Sequence, residues 1–507
     1  MTTRNFQINK LVAFLLILLA GTSAYSQEML GIMNSNYAGI NGAILNPATP
    51  VSSPYYLDIN VLSAHFFAEN NYIYFAKDEY RFKRFLQPNP TFPTHPPDGK
   101  AYYDYYTNPD KKGFVNLRVM GPSAAVVMGR HAIGFYEDVR SATSARNFSY
   151  ELAKFMFEGL TFPPQYDINY IDENKMALAN LEWAELALNY SYVFRNMDTH
   201  YWTAGITVKS LQGYAGAYAN INHLDYIVPD HDTLIVNSAI GEAGISLPLD
   251  YQANTLINSP IFRGKGVGFD IGVTFQQKQR SSGLSNNFTT LCSQSYTPYV
   301  YKIGISLLDI GRIRFKDNAI KAVLDDRSTI WPGISNVNFQ NINTMVNDIS
   351  NHFYGNTTQL VADNKIVIGL PTAFSVQADY NVLGNWFMNG SLIYPIKLMK
   401  VSVVRPALLA FAPRYETRLI GIGMVASFYD WSKFHLGINA RFRGLFVGTE
   451  KLGAFFHFSD FTGMDIYAGI KISFLKGKCR PKVSDKCDPN EYKKFHIKRS
   501  RSDMLRF

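Results

Sequence analysis

The fold predicted here is all-β, a transmembrane antiparallel β-barrel, and three observations predict it. The stretch Met464–Phe474 alternates without a break. Met464, Ile466, Ala468, Ile470, Ile472 and Phe474 are apolar or small, and Asp465, Tyr467, Gly469, Lys471 and Ser473 fall between them. Alternate side chains of a strand face opposite ways, and about eleven residues suffice for a tilted strand to cross a bilayer. The same parity recurs along the chain, and an export signal precedes it.

The signal comes first. Arg4 and Lys10 flank the start of an apolar run, Leu11–Ala20, and Ala24-Tyr25-Ser26 places small residues where a signal peptidase reads them. Residues 1–26 therefore read as a cleaved signal peptide, with the mature chain starting at Gln27. No cysteine stands at that point, so a lipoprotein is not expected. No later segment has the roughly eighteen apolar residues of a membrane helix, which leaves strands to do any spanning.

The next segment does not alternate. Residues 36–48 are rich in small residues and turn formers, and Asn46-Pro47 stops a strand. Residues 27–50, with Asn36, Ala38, Gly39, Asn46, Pro47 and Ala48 as their motif, have two readings: a hatch folded into the lumen, or an ordered periplasmic lead-in. The barrel is expected over 51–475.

Parity then marks the strands. Leu186–Phe194 alternates with Ala187, Asn189, Ser191 and Val193 opposite. Trp202, Ala204, Ile206 and Val208 oppose Thr203, Gly205, Thr207 and Lys209. Val267, Phe269, Ile271, Val273 and Phe275 oppose Gly268, Asp270, Gly272 and Thr274. Tyr301, Ile303, Ile305 and Leu307 oppose Lys302, Gly304 and Ser306. Phe374, Val376, Ala378 and Tyr380 oppose Ser375, Gln377 and Asp379, and Phe434–Phe442 opposes His435, Gly437, Asn439 and Arg441. Short turns at Arg195–Asp198 and Gly384-Asn385 suit the periplasmic side, and longer inserts at 77–112, 144–180 and 325–362 suit the extracellular side. Two inserts carry helical spacing, in Leu152, Phe155 and Met156 and in Ile342, Val346, Ile349 and Phe353. Such helices either cap the mouth or merely order long loops.

Charge and composition agree. The net charge is +9, from 49 bases and 40 acids. Two bases lie in 1–26, and eleven bases against four acids lie in 476–507, which leaves 36 of each sign in a neutral body. That pattern excludes a nucleic-acid-binding body and marks a basic tail, expected to hang in the periplasm. Aromatic residues make up 14%, as suits belts at two membrane interfaces. Three cysteines build no disulfide framework. Cys479 and Cys487 either close a small loop in the tail or stay free, and Cys292 has no evident partner.

Catalytic and cofactor signals are poor. There is no Gly-x-Ser-x-Gly elbow, phosphate loop or metal-ligand spacing, so neither enzyme nor cofactor is expected. His223, Asp225, Asp230, His231 and Asp232 cluster in one segment and read as a polar hairpin rather than a site. The lumen-facing candidates are more telling: Glu185, Lys209, Asp270, Lys302, Asp379, His435, Arg441, Asp465 and Lys471. Mixed signs inside a barrel either line a watery pore or pair with one another and a hatch. The inward glycines 205, 268, 272, 304, 437 and 469 leave room for an inserted segment.

A resemblance rests on these residues. The Asn36-x-Ala38-Gly39…Asn46-Pro47-Ala48 segment, with Gly304–Gly311, Pro413–Glu416, Gly444–Gly448 and the closing strand, resembles a Bacteroidota family of outer-membrane barrels of unknown function. The Asn-Pro-Ala element is also similar to one in long-chain fatty-acid channels and in a shuttle barrel of the type IX secretion system. The resemblance implies about fourteen strands around an N-terminal luminal segment. Two functions follow as expectations: transport of small or hydrophobic molecules across the outer membrane, or a structural barrel that binds other envelope or secretion-system proteins. The expected partners are outer-membrane lipid, such proteins, and a small-molecule or lipid ligand.

Overall fold

The computed structural model describes residues 29–80, 102–106, 110–279, 297–337, 339–456 and 458–475. The signal peptide, Cys292 and the basic tail with Cys479 and Cys487 lie outside the described residues.

The chain forms a closed antiparallel barrel of 14 strands. β1 (Leu57–Asn70) is followed by β2 (Lys111–Met120) and β3 (Ser123–Met128), which share one position in the wall, then by β4 (His131–Phe148), β5 (Met176–Asn196) and β6 (His200–Asp230). β7 (Thr233–Ser246) stands outside the wall. β8 (Gly264–Lys278) and β9 (Tyr299–Phe315) return to it, and β10 (Ala319–Pro332) leaves it again. β11 (Ile366–Gly369) and β12 (Ala373–Leu383) share the next position. β13 (Trp386–Pro395), β14 (Leu408–Glu416), β15 (Ile420–Tyr429), β16 (Lys433–Phe442), β17 (Leu445–Thr449) and β18 (Gly463–Phe474) complete the circle. Pairing of β18 with β1, from Leu57 opposite Phe474 to Leu62 opposite Ile470, closes it and removes the free edges.

Outward and inward faces follow the parity of the strands. Leu186, Ile206, Ile271, Ile305 and Ile470 are exposed on the outer wall, where lipid would cover them, while Asn189, Thr207, Asp270, Ser306 and Lys471 are buried inside. Near the rim that carries Leu57 and Phe474, outward aromatics run from strand to strand. Phe194 meets Trp202 at 6.4 Å, Trp202 meets Phe275 at 4.8 Å, and Phe275 meets Tyr301 at 5.8 Å. This is an interfacial belt. The start of β1, the end of β18 and the short turns after β3, β5 and β12 lie at this rim, the turn end; the long inserts lie at the other, the loop end.

Two departures from regular strands shape the wall. β6 is 31 residues long: His200–Gly213 pairs with β8 inside the wall, and Gly216–Asp230 rises beyond it to pair with β7. β10 joins β7, so part of the insert expected over 325–362 is strand rather than loop. The wall also breaks between β2 and β3 at Gly121-Pro122, since proline has no N–H to donate. There Asn60 donates to the freed carbonyls of Met120 at 3.3 Å and Gly121 at 3.1 Å.

Helices complete the picture. α1 (Leu30–Met33) lies in the lumen. α2 (Tyr150–Glu158) carries Leu152, Phe155 and Met156, and Ser149 caps it by accepting from Leu152 N. α3 (Ile342–Tyr354) starts with a capping box between Asn341 and Thr344 and ends at Gly355 in the left-handed region (φ 67°). His352 of α3 stacks on Trp331 of β10 with ring centroids 4.0 Å apart, which docks the helix on the upright sheet.

Candidate functional site: the filled lumen

The candidate site is the barrel interior, and it is built in three layers. Reading β6 inward from the turn end by twos meets them in order: Thr203, Gly205 and Thr207, then Lys209, then Leu211.

The first layer is the hatch. Residues 29–53 thread the lumen as α1, a 3₁₀ turn at Gly39–Ile44 and another at Pro50–Ser52. Leu30, Ile32, Met33, Ile40, Ile44 and Leu45 are all buried. The inward segment runs to Ser53, slightly past the boundary expected at residue 50. Its backbone polar groups are satisfied by the wall, as a buried irregular segment requires. Ser306 donates to Leu45 O at 2.7 Å, Asn189 to Pro47 O at 3.0 Å and Thr203 to Ala48 O at 3.1 Å. Leu30 N donates to Glu450 at 2.8 Å, and Ile40 N donates to Asp58 at 2.9 Å.

The motif residues each have a place. Asn46 makes an Asx turn, accepting from Ala48 N at 3.0 Å, and donates to Gln377 at 3.0 Å. Asn36 donates to Glu416 and accepts from Tyr299 at 2.9 Å. Ala38 O accepts from Lys471 at 3.0 Å. Gly39 sits at φ 62° against Asp58, where an added Cβ would lie 1.8 Å from the carboxylate.

Three of the inward glycines form the seat for Asn46-Pro47. A Cβ on Gly205 would lie 2.1 Å from Pro47 O, on Gly272 2.2 Å from Asn46 Oδ1, and on Gly304 2.8 Å from Asn46 Nδ2. The other three do not receive the hatch. Gly268 faces Leu370, Gly437 faces the Thr449–Glu450 backbone, and Gly469 faces Phe446 and Ser63. They make room for the wall's own groups, which parity alone does not distinguish. Around the hatch, cavities of about 30 and 20 Å³ border Lys302. Those volumes suit single waters, not ligands, which need hundreds of Å³.

The second layer is a closed set of charges. Arg118, Arg140, Lys209 and Arg405 meet Asp138, Glu185, Asp270 and Asp309, four of each sign, all buried. Arg140 grips Asp309 with two 2.9 Å hydrogen bonds, and Lys209 reaches Asp309 at 2.6 Å and Asp270 at 2.8 Å. Arg118 joins Asp138 at 2.8 Å and Glu185 at 3.5 Å, and Arg140 lies 4.6 Å over the Trp183 ring. Buried ions are tolerated only when paired and hydrogen-bonded in this way. A second group joins the hatch to the opposite wall. Arg414 holds Asp379 through two 2.7 Å bonds and meets Glu416 at 3.3 Å, and Glu416 accepts from Ser35 at 2.8 Å.

The third layer, at the loop end, is apolar. Leu181, Trp183, Leu211, Phe315, Ile368 and Val403 pack together inside the barrel. Val403 belongs to residues 396–407, a connection that folds inward instead of outward. Val403 N donates to Gly369 O at 3.2 Å, Val404 N to Ser144 at 3.1 Å and Arg405 Nε to Pro371 O at 2.7 Å.

The sequence-marked candidates are distributed through these layers. Asp270 and Lys209 belong to the charge layer with Glu185. Asp379 braces the hatch, and Lys302 lies 5.5 Å over Tyr299. Lys471 pairs with Asp58 at 3.2 Å, and Arg441 lies 4.8 Å over Tyr37. Asp465 accepts from Glu450 N at 3.0 Å, and His435 is half-buried beside Glu69 at 3.2 Å. Asp230, Asp232 and His231 form the turn between β6 and β7, where Asp232 accepts from Ser335 N at 3.2 Å. Arg118, Asp138, Arg140, Asp309 and Arg405 were not marked. Asp309 falls on the outward parity of Tyr301–Leu307, but a bulge at Leu308-Asp309 (φ 52° at Asp309) turns it inward, and its N–H donates to Asp270 at 2.7 Å. Asp138 and Arg140 follow Ala132, Gly134 and Tyr136 on one inward face, a signal blurred by Glu137 on the other.

A model of a family of unknown function, DUF5723, matches residues 47–450. No curated protein sequence matches the chain. Among solved structures, it is similar to the Pseudomonas putida toluene transporter TodX at 11% identity, with a TM-score of 0.29, covering 89% of this chain and 99% of that one. A Pseudomonas aeruginosa homologue of FadL matches at 10% identity and a TM-score of 0.29, covering 89% and 100%. The Escherichia coli outer-membrane protease OmpT matches at 8% identity and a TM-score of 0.21, covering 83% and 98%.

Proposed function

The chain belongs to that family of unknown function, its matched span taking in most of the barrel, and from this premise we propose that it is an outer-membrane barrel that passes small hydrophobic molecules through a normally closed lumen. The observation that carries the reading is the apolar layer inside the loop end. A water-filled porin has a polar interior. Here the mouth holds Leu181, Leu211, Phe315 and Ile368 instead, inside the wall and above the charges. A greasy solute gains about 25 cal/mol per Å² of surface buried there, and an ion or sugar gains nothing. The hatch is the gate of this reading. It joins the wall through β1, and at its α1 end Leu30, Ile32 and Met33 are buried in an apolar cluster with Phe67, Phe446 and Tyr467, while Leu30 N and Asn34 hydrogen-bond to Glu450 and Ser391.

The test is solute flux into proteoliposomes. The reading expects a toluene-sized apolar solute to equilibrate faster than in protein-free vesicles, while sugars of the same size do not. Free passage of sugars, or no gain for the apolar solute, overturns it.

A second reading is favoured by the eight paired charges, which cross the lumen and tie six strands to the inner connection 396–407. A barrel locked at mid-height in this way suits a structural part of an envelope or secretion assembly, as the resemblance to a type IX shuttle barrel implies. Stoichiometric co-purification of envelope proteins from native membranes, with no flux of any solute, is the result that favours it.

A further inference from the structure

The outer wall carries a basic row where an outward face should turn from lipid to headgroups. Along β9 the outward residues are Tyr301, Ile303, Ile305 and Leu307, and, beyond the Leu308-Asp309 bulge, Ile310, Arg312 and Arg314. Tyr301 belongs to the aromatic belt at the turn end. Arg312 follows eleven residues later. At about 3.4 Å per residue and a tilt of 35–45°, that is roughly 26–30 Å up the wall, and the apolar band of such barrels is about 25 Å tall. Arg312 and Arg314 therefore lie just past the far edge of the band.

Neighbouring strands add to the row. Lys265 of β8 stands directly opposite Arg314 in the cross-strand register, and Lys316 continues the β9 face. All four are exposed. Like charges directly opposite each other destabilise a sheet unless something offsets them. Among the described residues none of the four makes an ion pair or a side-chain hydrogen bond. The nearest acid in sequence, Asp317, is exposed, and its N–H is engaged by Arg263 O. Next to the row, Ile261 and Phe262, which lead into β8, are exposed apolar side chains. The surface is thus amphipathic, with guanidinium and ammonium groups beside greasy ones, at the height where acyl chains meet headgroups.

We propose that this row is a binding site for a phosphate-bearing lipid of the outer leaflet, its phosphate bridging Lys265, Arg312 and Arg314 and its acyl chains lying on Ile303, Ile305 and Ile310. Arginine offers a planar fork that matches phosphate oxygens, and basic groups at a bilayer surface attract anionic headgroups. The occupant is a lipid and not a free anion because the row sits at the top of an apolar wall, with exposed apolar side chains beside it.

The experiment is native mass spectrometry of the full mature barrel in detergent, titrated with bis-phosphorylated lipid A, with its enzymatically dephosphorylated form and with inorganic phosphate. Lipid A is expected to stay bound and the dephosphorylated lipid to bind about tenfold more weakly or worse. Inorganic phosphate is expected not to compete. The triple variant Lys265→Gln, Arg312→Gln, Arg314→Gln is expected to lose binding by about the same factor, and Arg195→Gln, exposed at the turn end, to keep it. Equal binding of the two lipids by the native barrel overturns the proposal even if the triple variant fails to assemble. Equal binding of lipid A by an assembled triple variant overturns it too. Competition by inorganic phosphate at millimolar concentration would make the row an anion site and not a lipid site.

Discussion

At the scale of single residues, position on the wall decides consequence. Ile470 and Lys471 are neighbours in sequence and opposites in space: one is half exposed toward lipid, the other buried against Asp58 and the hatch. Ile470→Arg puts a charge on the lipid face at a cost of about 2–4 kcal/mol near the midplane, so the yield of heat-modifiable, membrane-inserted barrel should fall. Lys471→Ala should insert, but it strands Asp58 and removes the donors to Tyr37 O and Ala38 O. Limited proteolysis should then cut residues 29–53 sooner than in the native protein. Equal insertion of the two variants would show that the parity is wrong or that β18 does not cross the membrane. Asp309 is the residue on which the charge layer turns, since it meets Arg140, Lys209 and Arg405 at once. Asp309→Ala leaves three cations short of a partner, and removing one member of a buried set costs about 3–5 kcal/mol. A urea midpoint unchanged by that substitution would mean the layer contributes no stability.

At the scale of elements, the loop end offers a pH test. Asp104 accepts from Tyr150 of α2 at 2.6 Å and from Lys154 at 3.2 Å. Burial pushes its carboxyl up, but those hydrogen bonds and the Lys154 charge outweigh burial and hold it below the ordinary carboxylate range. A depressed carboxyl contributes stability that is present above its unfolded value and is lost as pH falls through the folded one. The protection of α2 amides against hydrogen exchange, relative to their intrinsic rate at each pH, should therefore be high at neutral pH and fall below about pH 4. Asp104→Asn should show the low protection at neutral pH, and protection in the native protein that does not change with pH would exclude this anchor. The same elements show what the sequence made legible. Strands came from parity because one face must meet lipid, and α2 and α3 came from their apolar spacing. The motif 36–48 was legible as irregular backbone rich in small residues, but its place inside the barrel depends on distant donors such as Asn189, Thr203 and Ser306. Asp309 was hidden by a bulge, which shifts parity by one. Arg405 and Val403 were hidden because nothing local marks 396–407 as a connection that turns inward: its partners, Asp309, Ser144 and Gly369, are far away in the chain.

At the scale of the whole molecule, the barrel is an apolar wall around a lumen filled from both ends, with the hatch entering at the turn end and the 396–407 connection at the loop end. Between them four cations and four anions pair with one another, and the cavities beside Lys302 are the size of waters. A closed lumen with an apolar mouth is a gated path for greasy solutes only if the hatch moves. The most direct measurement pins its α1 end. Asn34 donates to Ser391 of β13 at 3.1 Å, which places the two side chains within reach of each other. In the double variant Asn34→Cys, Ser391→Cys, reconstituted in vesicles, uptake of a toluene-sized apolar solute is predicted to match the native protein when the thiols are reduced and to fall to the protein-free rate when they are oxidised to the disulfide. Uptake that stays above that rate with the hatch locked in place would contradict the account.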